Sequence, residues 1–383
     1  MPKINPEILR WARETAGLEL ADAARGIGMT GAKAAQHLAE MEAGDREPSR
    51  RQLVEMAKKY RRPLLTFYLS GPPELGPRTH DFRTLPERRR ESESLISALI
   101  RDVKARQAIV AGALEDAQEG EALPFVGSMS LKDGPIRLAA AMLETIGLSR
   151  DEFRGAKNKD EAFRLLRDAT ERAGVYVILM GNLGSFHTDI DAEAFRGFAM
   201  SDPIAPFIVI NENDARAAWP FTLLHELGHV FLGESGISGY RTEVAVERIC
   251  DRAAAQYLLE DGELAGLPAA ASLDELIEAI TVFADDRHLS RKMVAYNLLR
   301  SDRIDGAKYR NICEQLDADR AKVAAARPKS QVNYYVVRGH RVGQGLIRLV
   351  NRMVAGGSLS STMAGRVLGV KPTAVGRMTE RAA

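Results

Sequence analysis

The stretch Phe221-Thr-Leu-Leu-His-Glu-Leu-Gly-His-Val-Phe-Leu-Gly233 governs the reading of this chain. In helical projection Leu223, Leu224, Leu227, Val230 and Phe231 form a broad apolar arc, and His225, Glu226 and His229 fill the complementary one. Gly233 is a natural helix stop. The arc away from a core ordinarily carries Lys, Arg or several Glu; this one is short of solvating charge. Histidines four apart project from one face, so His225 and His229 reach one metal ion. Glu226, beside the first, then stands where it can hold and deprotonate a metal-bound water. The bland alternative, a helix whose histidines merely lie at its surface, leaves the missing charge unexplained.

A site of this kind takes a third protein ligand and keeps one position for water. Downstream, Glu243-Val-Ala-Val-Glu-Arg-Ile-Cys-Asp-Arg-Ala-Ala-Ala-Gln-Tyr-Leu-Leu259 predicts a second helix. Its apolar face holds Val244, Cys250, Ala254, Tyr257 and Leu258, with Arg248, Arg252 and Gln256 on the solvent side. Glu247 and Asp251 fall within the apolar face, where carboxylates are costly unless something cationic or hydrogen-bonding meets them. A metal ion for Glu247 and a ligand-histidine N–H for Asp251 satisfy both. A buried salt bridge to an arginine elsewhere is the competing account.

His225-Glu-Leu-Gly-His229 followed by Glu247-Arg-Ile-Cys-Asp251-Arg-Ala-Ala-Ala-Gln-Tyr-Leu-Leu259 resembles the ImmA/IrrE family of metallopeptidases. Those proteins show H-E-x-x-H and then E-x-x-A-(N/D)-x-x-A-A-x-x-L-(L/M). Phe195-Arg-Gly-Phe-Ala-Met-Ser-Asp202 and Pro206-Phe-Ile-Val-Ile-Asn211 are similar to the strands before the metal helix in that family, so the specific resemblance spans roughly residues 170 to 260. It implies a compact zincin domain with His225, His229 and Glu247 as Zn2+ ligands and Glu226 as general base. Known members cleave a DNA-bound repressor, and several carry a helix-turn-helix domain in the same chain. Cys250 departs from the family's usual alanine; it is a small buried packing residue or a fourth, inhibitory ligand.

At 383 residues the chain accommodates two or three domains with cores of their own. A net charge of +1 excludes a wholesale electrostatic nucleic-acid binder, leaving any such role to local patches. Two cysteines, Cys250 and Cys313, argue for a reducing compartment and against a disulfide framework or a cysteine metal site. The first residues lack a basic-then-apolar signal pattern, and no apolar run reaches membrane-spanning length. A cytoplasmic protein without membrane association is expected.

Residues 1–70 read as an all-α unit of five short helices, with a tight turn between the second and third and a capping box at Ser49-Arg-Arg-Gln52. They resemble the Xre-type helix-turn-helix domains of phage-repressor-like proteins. DNA is then a partner through the third helix, with Lys33, Gln36 and His37 as contacts. Glu19-Leu20 stands where such domains place Ser-Gln to grip a phosphate, so dimerisation, giving a homodimer, or docking of a partner is the alternative use. Residues 71–122 read as a linker with Pro72-Pro73, Gly76-Pro77 and Arg88-Arg-Arg90, followed by a long amphipathic helix over 92–120.

Residues 123–300 form the expected metallopeptidase domain, with helices at 136–146 and 160–173 and strands at 175–180, 197–200 and 207–210. An edge strand beside the metal helix is expected to pair with an extended peptide. Helices follow at 273–283 and 290–299, the latter opened by a serine cap. His187 and Tyr240 are candidate transition-state or substrate contacts, against ordinary loop residues. Residues 301–383 form a C-terminal helical domain, with a short strand at 334–337 and helices at 346–353 and 361–372 of abbreviated helix-turn-helix character. Its basic residues (Arg338, Arg341, Arg348, Arg352, Arg366, Lys371, Arg377) outnumber its acids, which makes it a nucleic-acid or partner-docking candidate, or a regulatory cap on the peptidase.

The expected fold class is mainly α with a small β-sheet: an α+β zincin-like peptidase domain joined to an all-α helix-turn-helix N-terminal domain. The expected function is a zinc endopeptidase of the ImmA/IrrE type in transcriptional or stress regulation, acting on a repressor or toxin-like partner protein. The rival is a helix-turn-helix DNA-binding regulator or antitoxin that neutralises a neighbouring toxin and uses the peptidase fold for sensing or docking. An intact Glu226 favours chemistry, because docking has no need of it.

Overall fold

Caps or glycines written into the sequence start or stop many helices of the computed structural model, which describes residues 3–73, 90–184, 188–237, 244–260, 262–268, 272–325 and 333–380. The chain divides into two compact units, Met1–Asp102 with Asn182–Ile190, and Val103–Gly181 with Asp191–Ala383.

The first unit contains α1 (Pro6–Glu14), α2 (Leu20–Gly26), α3 (Ala34–Ala43), α4 (Arg50–Lys59) and a 3-10 turn at Leu64–Tyr68. Asn5 caps α1, and Ser49 with Gln52 forms the expected capping box of α4. Ile8, Leu9, Leu38, Met41, Met56 and Phe67 close a core in which each is at most 1% exposed. The buried Arg13 guanidinium holds both carboxylate oxygens of Glu42, at 2.7 and 2.9 Å. Helix α5 (Arg90–Asp116) contains the division between the units.

The second unit holds α6 (Gly134–Ile146), α7 (Arg150–Arg154), α8 (Lys159–Arg172), β1 (Tyr176–Leu179), β2 (Gly197–Met200), β3 (Phe207–Ile210), α9 (Trp219–Phe231), β4 (Gly236–Ile237) and α10 (Val244–Leu258). After these come α11 (Leu273–Asp286), α12 (Arg291–Arg300), α13 (Gly306–Ala325), α14 (Tyr334–Val342), α15 (Gln344–Ala355), α16 (Ser361–Leu368) and α17 (Val375–Thr379). The strands align in the order β1-β3-β2-β4, with β1 parallel to β3 and the other pairs antiparallel. Residues of β1 and β3 are buried throughout, as unbroken runs of Val, Ile, Leu and aromatics require. Val177, Leu179, Ala199, Ile208 and Ile210 share one core with Leu223, Leu227 and Val230 of α9, Leu166 of α8 and Ala254 of α10. The architecture is mainly α with a small sheet. Among the described residues no helix is long and apolar enough to cross a membrane.

Three expectations are corrected. The strand expected at 334–337 is the first turn of α14, because the Asn333 side chain accepts from Tyr335 N and caps a helix that leaves Tyr334 and Val336 exposed. Ser290 occupies the N-cap position of α12, but its hydroxyl makes no capping bond; Ser272 instead builds a full capping box on α11. Val244 is 67% exposed at the first residue of α10, and Val246 starts the buried stripe instead. The structure also adds an element the sequence reading did not contain, the two-residue β4 at the sheet edge beyond β2, too short to be announced by periodicity.

Candidate metal centre

Helix α9 begins where a 3-10 turn at Arg216–Ala218 feeds it and Pro220 sets its first turn. Its end is equally determined. Gly233 takes a left-handed φ of 72°, and the Val230 and Phe231 carbonyls accept from Gly127 N and Met129 N at 3.0 Å each. Apart from Phe221, every residue of the helix is buried. The polar arc is therefore interior as well: His225 is 7% exposed, Glu226 1% and His229 4%.

Two close approaches bring partners to that arc. Strand β2 passes so near that a Cβ on Gly197 would stand 2.7 Å from Thr222 Cγ2 and 3.0 Å from Glu226 Oε1. On the other side α10 packs along α9 at Gly228, where a Cβ would lie 2.9 Å from Cys250 Sγ and 3.2 Å from Met142 Cε. Cys250 is thus the residue that fills the space over Gly228, fully buried, its thiol pushed up by burial and by the surrounding carboxylates.

The three expected ligands converge. His225, His229 and Glu247 present donor atoms all within 4.8 Å of one another, a group that can hold a metal ion. The two Nε2 atoms are 3.1 Å apart, His225 Nε2 lies 3.2 Å from Glu247 Oε2, and His229 Nε2 lies 3.6 Å from Glu247 Oε1. Ligands bound tetrahedrally at zinc's usual bond lengths are separated by about 3.3–3.6 Å. The observed spacings cluster around that value, and two imidazole nitrogens with one carboxylate are a zinc-type donor set. Asp251 Oδ1 sits 2.9 Å from His225 Nδ1. As an acceptor it makes Nδ1 the donor and leaves Nε2 for a cation.

The electrostatics fit a cation held in the same place. Burial disfavours a charged His225, but its hydrogen bonds to Asp251 and Glu247 and the nearby Glu226 charge outweigh that and carry it up to about 10. Burial and the positive charge on His225 push His229 down. One positive charge is accommodated between the rings, and a second proton is refused.

Three features were outside the sequence reading: Gly197, Gly228, and Phe221, whose ring centroid lies 6.3 Å from that of His225. The glycines signal nothing by periodicity, since each is defined by what approaches it. His187 and Tyr240 lie outside the described residues. Lys33 and Gln36 are exposed and His37 is half-buried, all at α3 of the first unit, with Gln36 bonded to Glu40 at 3.1 Å. The α2 N-cap, Glu19, makes no side-chain capping bond.

Two buried histidines and a partly buried carboxylate beside a buried glutamate, on an α+β scaffold, are the arrangement of a metallohydrolase. Residues 171–299 match the family model of the IrrE N-terminal-like domain, a peptidase family. That span runs from the end of α8 through most of α12 and includes the whole cluster. No curated protein matches the chain, and no solved structure does.

Proposed function

We propose that this protein is a zinc-dependent endopeptidase of the ImmA/IrrE type that cleaves a repressor or a toxin-like partner protein. The observation that carries the reading is the spacing of the His225, His229 and Glu247 donor atoms, with Glu226 buried on the same face of α9. A zinc ion at those three ligands supplies Lewis acidity and makes water a nucleophile near neutral pH. Glu226 takes the proton of the attacking water at its carboxylate and delivers it to the leaving amine. Strand β2 at Gly197 passes close beside its side chain, where a Cβ would stand 3.0 Å from Glu226 Cγ and Oε1. Asp251 holds the His225 ring in one tautomer and one orientation. The N-terminal five-helix unit serves as the helix-turn-helix module that brings the peptidase to its regulatory target.

Elemental analysis of the purified full chain, alongside peptide hydrolysis, tests this. About one zinc per chain is expected, and Glu247→Ala loses it. Glu226→Gln keeps the zinc and loses cleavage of a quenched peptide library by about 10²–10⁴-fold. Full cleavage by Glu226→Gln removes the assigned base; absence of zinc from the wild-type chain removes the enzyme.

A further inference from the structure

Residues 344–380 lie beyond the peptidase match and build a small three-part unit of α15, α16, and a 3-10 turn at Pro372–Ala374 that runs into α17. Leu346, Val350, Met353, Val367, Val375 and Met378 are buried where these elements pack together. Two glycines shape the corner. Gly369 ends α16 with a left-handed φ of 63°. Within α16, a Cβ on Gly365 would come 2.8 Å from the Val370 carbonyl oxygen and 3.2 Å from Pro372 N. Only a residue without a side chain lets the chain fold back so tightly, and Val370 N donates to Gly365 O at 2.8 Å. Two short helical elements joined by a glycine turn and braced by a third helix are the construction of a helix-turn-helix.

The end of α16 is anchored from outside the unit. Arg106 donates to Val367 O at 3.0 Å and Arg338 to Leu368 O at 2.7 Å, placing two guanidinium charges on the carbonyl end of α16. Arg341 and Arg352 are likewise engaged, each 2.6 Å from a carboxylate oxygen, of Glu212 and Glu119 respectively.

The second element turns Val375, Met378 and Thr379 inward and exposes Thr373, Gly376 and Arg377. Lys371 just before it and Arg366 on α16 are exposed beside that face. Across 344–380 the chain carries five basic side chains and one acid, Glu380, in a molecule whose total charge is only +1. Arg366, Lys371 and Arg377 place three of these charges, all exposed, on this corner. A basic corner with one exposed helix face fits a polyanion of regular charge spacing and a groove of helix width.

We infer that residues 344–380 form a helix-turn-helix that binds duplex DNA. The element at 372–379 enters the major groove, Arg366 and Lys371 contact phosphates, and Thr373 and Arg377 face base edges. This surface shares no residue with the candidate metal centre or with the N-terminal five-helix unit.

Fluorescence anisotropy of the full chain with a labelled mixed-sequence duplex of about two helical turns tests it, between about 50 and 200 mM salt. The Arg366→Gln/Lys371→Gln/Arg377→Gln variant is expected to bind at least about tenfold more weakly and to lower the salt slope by about 2–3. Arg366→Lys/Arg377→Lys keeps both charges and retains most of the non-sequence-specific affinity. Lys33→Gln/Gln36→Ala, in the N-terminal unit, leaves the C-terminal contribution to the slope intact. Three outcomes overturn the inference: no duplex binding by the wild-type chain at the lowest salt, equal binding by wild type and the triple variant, or equal loss in the charge-keeping variant.

Discussion

Gly228 stands between the two histidines, and the geometry of the candidate metal centre depends on its having no side chain. Any Cβ there meets Cys250 Sγ at 2.9 Å, so α10 must draw back and take Glu247 with it. Overpacking of this kind costs about 1–3 kcal/mol. Gly228→Ala is therefore expected to weaken zinc binding by about tenfold or more in a chelator competition, and Cys250→Ala in the same chain to recover part of it. Recovery in the double variant identifies the steric cause; none would show that Gly228 matters for another reason. Asp251 acts by a different route, through the ring of His225. Asp251→Ala is expected to lower zinc affinity about 10–100-fold, with the ligands themselves unchanged. His225, Glu226, His229, Glu247 and Asp251 were all legible in the sequence, because helical spacing alone puts each group on one face. Gly197 and Gly228 were not legible as site residues: their roles are clearances to segments distant along the chain.

Helix α10 carries Glu247 and Asp251, and its far end is held by charge. Arg150 donates to the Gln256 and Tyr257 carbonyls at 2.8 and 3.1 Å, and Arg154 to Leu258 O at 2.9 Å. These are carbonyls a helix end otherwise leaves unsatisfied. Arg154 and Arg287 both bond Glu263, at 2.7 and 3.0 Å. Burial opposes the Glu263 charge, but the bonds from Arg154, Glu260 N and Arg287 outweigh it and bring its carboxyl down to about 2 from 4.5. A depressed acid contributes stability fully above its unfolded pKa and loses it as pH falls through the folded one. Glu263→Gln is thus expected to lose about 1–2 kcal/mol in denaturant unfolding at neutral pH. That deficit shrinks from pH 4.5 downward and is nearly gone by about 2. A deficit independent of pH would rule out the ion pairs as its source. At this scale β2 and β3 were read with both ends right, since apolar runs bounded by Gly or Pro have little choice. Tyr334–Val337 was misread because four apolar or aromatic residues in succession suit a strand and a helix alike, and the Asn333 cap decided between them.

Across the second unit, the C-terminal helices are secured to the sheet by one buried ion pair. Arg167 and Glu171 of α8 meet at 3.2 Å, with side chains 7% and 0% exposed. Arg167 also donates to the carbonyls of Val177 on β1 and of His340 and Arg341 on α14, while Glu171 accepts from Gly345 N at 2.6 Å. Burial lowers the Arg167 pKa and raises that of Glu171, so each charge persists through its partner and the backbone groups around it. Removing one member strands the other: Glu171→Ala is expected to cost about 3–5 kcal/mol in chemical denaturation, and an apolar replacement of both members much less. If the single and double variants lose the same amount, the pair is not the coupling element.

The sequence by itself determined what periodicity can encode: which residues share a helix face, where caps and glycines interrupt, and that three carboxylates and two imidazoles fall on inward faces. Such information is local, carried within a few residues by the geometry of a single helix or strand. Tertiary structure alone decided which faces meet. It set the spacing of the three ligand atoms across two helices, the clearances at Gly197, Gly228 and Gly365, and the use of Arg338 and Arg341 as internal anchors rather than surface charge. Those outcomes depend on distances between segments up to some 260 residues apart, such as Arg106 and Val367. A helical wheel orients side chains but leaves unspecified what lies opposite them.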